Sequence, residues 1–424
     1  MDGPALKGIS RDVRRVGWMD GLRGVAAVQV MLLHYATAFL PAIGMFEPSL
    51  AHYRWELGFI QTPLFYPFDG YSAVIVFFVL SGVALTYSFG ARPLGLVGGV
   101  GRRLVRLGVP MVASILFAAL LWRLMPDQHS IAATVSKSEA WLGRSTPGEV
   151  SISSVMHQVF LEGLLAGYSE TSMLPWRWHA TLGLRSSYAA FNPPLWSLHA
   201  EFYGSMLILF LVAIRDIGGA KLHAISCALV AIAFAKSFVI LFIVGHVAAY
   251  WLPSIASSFP WRRIGLFVCM VGILLCSMQT QPSLNGIIDL VYHSLPSPAA
   301  GPSLMLSRYQ GAIGAILVFI GVAMSPACRR ILQLPIFRWL GKISFSLYLT
   351  HFALLATAMC AIFNIMSQHY SYGISVAITS LIGISASFGI AILFERFVDR
   401  PTISLSRAVG GWGIMRVPVA ANKV

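Results

Sequence analysis

Arg23 and His34 stand eleven residues apart in MDGLRGVAAVQVMLLHY, residues 19–35, a stretch apolar enough to form a membrane helix. Eleven residues of α-helix turn through about 1100° and rise about 16 Å, which puts a fixed cation and a titratable imidazole within roughly 20° of one face. A ligand held by an anionic head at Arg23 and lying along that face would bring its far end to His34. Coenzyme A has that outline: a charged nucleotide, a thin pantetheine arm and a terminal thioester. A neutral imidazole beside a thioester can serve as general base on an incoming hydroxyl, a contribution of about 10²–10⁴-fold, or it can take the acyl group itself. A lone membrane histidine can equally be a hydrogen-bonded packing residue, so its company matters.

That company consists of further polar residues in apolar surroundings, where an ionisable group costs about 2.5–3.5 kcal/mol on insertion and needs a reason to be present. In GRRLVRLGVP, Arg103 and Arg106 are three apart and on a helix present adjacent guanidinium groups. Such groups bind phosphate bidentately and stay charged. The same residues would also suit a juxtamembrane stretch facing anionic lipid. In NPPLWSLHAEFYGSM, Glu201 lies within the apolar run, placed either to orient an imidazole or to neutralise an arginine, while His199 sits nearer the outer end. In LGKISFSLYLTHF, Ser344, Tyr348 and His351 follow i, i+4, i+7 and line one helix face, as packing contacts or as a cavity wall. His246 and Glu395 complete the ionisable residues in or beside apolar runs. The five cysteines form no Cys-x-x-Cys pair, so neither a disulfide framework nor a metal site is expected, and Cys269 and Cys276 read as packing residues on one helix face.

The elements that must position these residues are membrane helices. Of 424 residues, 57% are hydrophobic and only 11% charged, with a mean hydropathy of +0.74. A soluble domain carries about 25% charged residues. Apolar runs of spanning length recur along the chain, near 22–41, 71–89, 108–124, 195–214, 222–236, 237–252, 263–280, 309–325, 343–366 and 372–394. The expectation is therefore an all-α, polytopic membrane protein of about ten transmembrane helices, with both termini on one side. Most of the 30 Lys and Arg gather on the side shared by the termini, which the positive-inside bias makes cytoplasmic. The formal charge of +14 thus orients the chain in a lipid bilayer and calls for no nucleic acid. The polar, basic first 18 residues lead into a run with no small-residue cleavage motif, so this run reads as a retained span. Two longer segments, 125–194 and 281–308, are expected outside the cytoplasm; their aromatic and hydroxyl residues suit a carbohydrate as well as a membrane interface.

Six segments in order, DGLRGVAAVQVMLLH, FFVLSGVAL, RRLVRLGVP, PLWSLHAEF, LGKISFSLYLTH and FERFVDRP, resemble the acyltransferase-3 family of integral membrane O-acyltransferases. The resemblance implies a single acyltransferase-3 transmembrane domain over 1–400 followed by a cytoplasmic tail, 401–424. It implies residence in a bacterial cytoplasmic (inner) membrane and transfer of an acyl group, in the first place acetyl, to a hydroxyl of a sugar or polysaccharide precursor. By position, His34 matches the family's catalytic histidine and Arg23 its paired arginine. Arg103 and Arg106 match its Arg-x-x-Arg motif, linked to the acyl donor. Glu201 matches the Glu of its Trp-Ser-Leu motif, and Ser344, Tyr348 and His351 match its ninth-span motif. Phe345, where Tyr is common, and FYGSM after Glu201 depart from the pattern. Acyl-coenzyme A, in the first place acetyl-coenzyme A, is implied as co-substrate with no bound cofactor and no metal. A carbohydrate acceptor, and polysaccharide assembly machinery as a partner, are implied with it. A transporter or flippase of an acylated or glycosyl substrate would also place ionisable groups mid-membrane. The donor-length spacing, the Arg-x-x-Arg motif and the lack of an internal repeat weigh against it.

Overall fold

A computed structural model describes residues 17–91, 96–257, 259–277, 286, 289–290, 292–297 and 306–411, and among them there are helices and turns and no strand. The long helices are α1 (Gly17–Phe39), α2 (Gly70–Gly90), α3 (Leu96–Leu124), α4 (Trp196–Ala233), α5 (Val239–Ser257), α6 (Phe259–Ser277), α7 (Leu306–Met324), α8 (Pro335–Leu354), α9 (Cys360–His369) and α10 (Tyr372–Phe394). Among the described residues, six stretches are long and apolar enough to cross a membrane: Gly17–Phe39, Gly70–Gly90, Leu96–Leu124, Pro193–Ala233, Pro335–His369 and Tyr372–Gly410. Tyr309–Met324 and Pro326–Leu332, bent by 95°, make a seventh if taken together. The protein is an integral membrane protein by these helices.

Three features differ from the reading of the sequence. The expected spans 195–214 and 222–236 belong to one helical stretch, α4, interrupted at Gly219, where φ is 72° and ψ −175°. The polar RDIGGAK between them bends the helix without unwinding it into a loop. The expected spans 237–252 and 263–280 fall on shorter apolar helices, Val239–Leu252 and Ile264–Ser277. Finally, α3 starts at Leu96 and not near 108, so Arg102, Arg103 and Arg106 ride on the same helix as the expected span 108–124.

Residues 125–194 fold into short helical turns, including Gln128–Ser136, Ile152–His157 and Arg177–Thr181. They are held by the fully buried Glu162, whose carboxylate accepts from Arg185 Nη2 at 2.7 Å, Arg185 Nε at 3.1 Å and the Arg185 backbone N–H at 2.8 Å. Parts of 281–308, namely 281–285, 287, 288, 291 and 298–305, lie outside the described residues, as do 412–424 of the expected tail. Past residue 400 the chain continues as the helix Arg400–Gly411, packed along α3.

Two of the close helix crossings in the bundle bring together the residues with chemical content. A Cβ added at Gly24 would lie 2.5 Å from the Gly341 nitrogen, and one at Gly341 would lie 2.2 Å from the Asp20 carbonyl oxygen. Only glycine permits that backbone-to-backbone approach of α1 and α8. Gly82 and Gly245 do the same for α2 and α5, with Cβ positions 2.3 Å from Phe242 O and 2.1 Å from Val79 O.

Candidate active site

The α1–α8 crossing decides what His34 meets. Its Nδ1 lies 2.8 Å from His351 Nε2, with the rings nearly parallel at 13° and their centroids 5.0 Å apart. His351 Nδ1 lies 2.7 Å from the carbonyl oxygen of Leu347, one turn back on α8. A carbonyl only accepts, so His351 Nδ1 carries a hydrogen. With both rings neutral, His351 Nε2 is then a bare acceptor and His34 must donate to it from Nδ1. The chain Leu347 C=O, His351, His34 leaves the lone pair on His34 Nε2. His351 is fully buried, whereas His34 keeps part of its surface accessible, beside Trp141 at 5.5 Å and Phe352 at 5.4 Å between ring centroids.

Tyr348, three residues before His351, closes a cavity of about 880 Å³. Its hydroxyl and that of Ser197 lie 2.8 Å apart and share the Pro194 carbonyl as acceptor, at 2.9 Å and 3.1 Å. Both side chains, with Ser344, belong to the cavity wall; neither imidazole does. Asn192 helps fix this corner, its Nδ2 donating to Ser114 Oγ at 2.8 Å and to Leu349 O at 2.7 Å.

The rest of the wall carries Arg23, Arg103, Arg106, Arg338 and Lys342 against Asp20, Glu201, Glu395 and Asp399, a formal balance of +1. Arg103 Nη2 lies 2.6 Å from Glu201 Oε1, Arg106 pairs with Asp399, Arg23 with Asp20 at 3.2 Å, and Lys342 with Glu395 at 3.7 Å. Arg106 also stacks over Phe345, 4.8 Å from the ring centroid. Arg103 Nε is buried with no hydrogen-bond partner among the described residues, an unsatisfied guanidinium donor in the wall of a cavity. Buried donors are seldom left so, and an anion is the ligand that would satisfy this one.

Of the residues singled out in the sequence, Arg23, Arg103, Arg106, Glu201, Ser344 and Tyr348 therefore come together in one cavity, and His34 and His351 in an adjacent pair. Glu201 serves an arginine and not an imidazole; the orienting partner of His34 is His351. The cavity residues Arg338, Lys342 and Asp399 and the positioning residue Asn192 were not singled out. Single charges flanking an apolar run carry no periodic signal, and an Asn beside two prolines reads as a turn.

A bundle of membrane helices that holds a hydrogen-bonded imidazole pair beside a cation-lined cavity defines a class: an integral membrane protein equipped for acid–base or group-transfer chemistry within the bilayer. The sequence profile of the acyltransferase-3 family, an acyltransferase domain, matches residues 16–396, nearly the whole chain, and the protein belongs to that family. No curated protein and no solved structure shows a match of comparable significance.

Proposed function

We propose that the protein transfers an acyl group, in the first place acetyl, from acyl-coenzyme A to a hydroxyl of a sugar or polysaccharide precursor at the outer side of a bacterial inner membrane. The observation that carries this reading is the hydrogen-bond chain that leaves His34 Nε2 bare, next to a cavity suited to an anionic donor. Arg103 and Arg106, with Arg23, Arg338 and Lys342, receive the phosphates of the donor from the cytoplasm. Their present carboxylate partners keep the wall nearly neutral until the donor arrives. The pantetheine arm follows α1 past Tyr348, and its thioester reaches His34.

In the transfer step, His34 Nε2 takes the proton of the acceptor hydroxyl as that oxygen attacks the thioester carbon. The C–O bond forms, the C–S bond breaks, and the departing thiolate receives the proton from the imidazolium. His351 keeps accepting from His34 Nδ1–H throughout, which steadies the cation formed in the transition state. Trp141, from the segment expected outside the cytoplasm, offers an aromatic surface beside His34 against which a sugar ring can lie.

The test is single-turnover transfer from radiolabelled acetyl-coenzyme A in proteoliposomes, with donor binding measured in parallel. His34→Ala is expected to bind donor normally and to transfer nothing. Transfer at the wild-type rate by that variant would make His34 a packing residue, and a wild-type protein that binds no donor would overturn the proposal as a whole.

A further inference from the structure

A second cluster lies on other helices. His223 and Cys227 are four apart on α4, beyond the break at Gly219, so both point from one helix face. Opposite them on α5 is His246. His223 Nε2 is 2.7 Å from His246 Nε2 and 3.5 Å from Cys227 Sγ, and the three ligand atoms lie within 4.8 Å of one another with all three residues buried. None of these side chains takes part in the chemistry described above.

The surroundings fix the protons. Thr86 Oγ1 donates to the Gly82 carbonyl at 2.7 Å and lies 2.7 Å from His246 Nδ1. Its one hydrogen is committed, so Thr86 accepts from His246 Nδ1–H and leaves the lone pair of His246 on Nε2, aimed at His223 and Cys227. An outer hydroxyl or carbonyl that holds the far nitrogen of an imidazole is the usual support of a metal-ligating histidine. The Gly82–Gly245 crossing brings Thr86 close enough to give that support. Tyr250, whose ring centroid is 5.5 Å from that of His223 and 5.3 Å from that of His246, has a buried hydroxyl with no partner among the described residues.

From these contacts we propose that His223, Cys227 and His246 bind a thiophilic d¹⁰ metal ion, Zn²⁺ or Cu⁺. With bonds of about 2.0–2.1 Å to nitrogen and 2.3 Å to sulfur, tetrahedral ligands stand about 3.3 Å apart for N···N and about 3.6 Å for N···S. The N···S distance is already met between His223 and Cys227, His246 and Cys227 present ligand atoms within 4.8 Å of each other, and the two imidazoles need to part by about 0.6 Å. Binding releases the thiol proton of Cys227 to water and moves the proton of His223 from Nε2 to Nδ1, so both ring nitrogens facing the metal are bare. A thiolate with Cu⁺ gives a neutral site suited to burial. Zn²⁺ retains one positive charge and calls for a fourth ligand, a place the Tyr250 hydroxyl or a water beside it can fill. The ion would clamp the far half of α4 to α5 and, through Thr86, to α2.

The experiment uses untagged full-length protein in detergent, loaded separately with Zn²⁺ and Cu⁺ and dialysed, with Co²⁺ as a spectroscopic probe. Wild type is expected to retain about one equivalent of one of the two ions, which identifies the metal, and to show a thiolate-to-cobalt charge-transfer band. Cys227→Ser, nearly isosteric, should lose that band while keeping its elution profile and thermal midpoint in the absence of metal. Thr86→Val should weaken metal affinity by about 10–100-fold. Retention of neither ion by wild type would overturn the proposal. A charge-transfer band that survives in Cys227→Ser would also overturn it, by placing the ion on another cysteine.

Discussion

The hydrogen bond between His34 and His351 can be removed without emptying the space it occupies. In His351→Phe the ring persists between His34 and Tyr348, but the acceptor 2.8 Å from His34 Nδ1 is gone. A buried N–H left without an acceptor costs about 1–3 kcal/mol. His34 escapes that cost by moving its hydrogen from Nδ1 to Nε2, the nitrogen that must be bare to take the acceptor's proton. The reactive tautomer then lies about 1–3 kcal/mol above the resting one. At about 1.36 kcal/mol per factor of ten, single-turnover transfer should fall by about 5- to 160-fold while donor affinity stays at the wild-type level. The loss is smaller than that caused by a misdirected tautomer in a serine protease because the lost partner here is neutral and not a carboxylate.

Two further variants separate orientation from packing. A glutamine amide at 351 falls near the position of Nε2 and can accept from His34. An asparagine amide falls near Nδ1, where it can meet Leu347 but not His34. In proteoliposomes supplied with acetyl-coenzyme A, His351→Gln is expected to recover a substantial part of the rate and His351→Asn to resemble His351→Phe. Equal rates for Gln and Asn, or a wild-type rate for Phe, would refute the relay and leave His351 as a packing residue.

Two other outcomes follow from the same geometry. Arg103→Ala strands the Glu201 carboxylate at 14–17% side-chain exposure for the pair, and should cost about 3 kcal/mol in a detergent unfolding experiment; Arg103→Met with Glu201→Leu should recover stability but not donor binding by calorimetry, and recovery of both would show that Arg103 is structural only. Gly24→Ala places a Cβ against the α8 backbone and forces α1 and α8 apart. A displacement of about 1 Å at His34 is worth about 100-fold in transfer rate, so a variant as fast as wild type would mean that the imidazole pair does not depend on this crossing.

How much of this was readable depends on whether the partners share a helix. Arg23 and His34 lie on one helix face, and Ser344, Tyr348 and His351 on another, because 3.6-residue periodicity fixes such relations locally. The bond from His34 to His351 spans 317 residues, and the one from Arg103 to Glu201 spans 98. Neither has a local signature, so Glu201 had two readings in the sequence, and the structure selects the arginine. Arg102, Arg103 and Arg106 fall before the expected span 108–124 because a charged run ends the hydropathic signal, yet long arginine side chains let a helix extend beyond the apolar core. The case of Cys227 is different. Its helical companion was present in the sequence as His-x-x-x-Cys, but a search for Cys-x-x-Cys passes over a ligand pair completed from another helix.

The division between cavity and imidazole pair carries the last step. Tyr348 belongs to the cavity wall, and its ring lies 6.2 Å from that of His351 and edge-on to Phe77 at 5.9 Å. A cavity of about 880 Å³ accommodates a nucleotide, and since neither His34 nor His351 lines it, the proposed reading has a thin arm alone pass Tyr348 to reach them. On the proposed reading, phosphate recognition and thioester chemistry are thus kept about 16 Å apart along α1, from Arg23 to His34. The charged head cannot follow the arm to His34, because it would leave Arg103 and Arg106 for an apolar wall at a cost of several kcal/mol per charge. On the same reading, water entering from the cavity meets the side chains of Tyr348 and Ser197 before His34, which would shield the thioester from hydrolysis on the side from which it enters. The acceptor hydroxyl would then meet His34 beside Trp141, where the single bare nitrogen, Nε2, takes its proton.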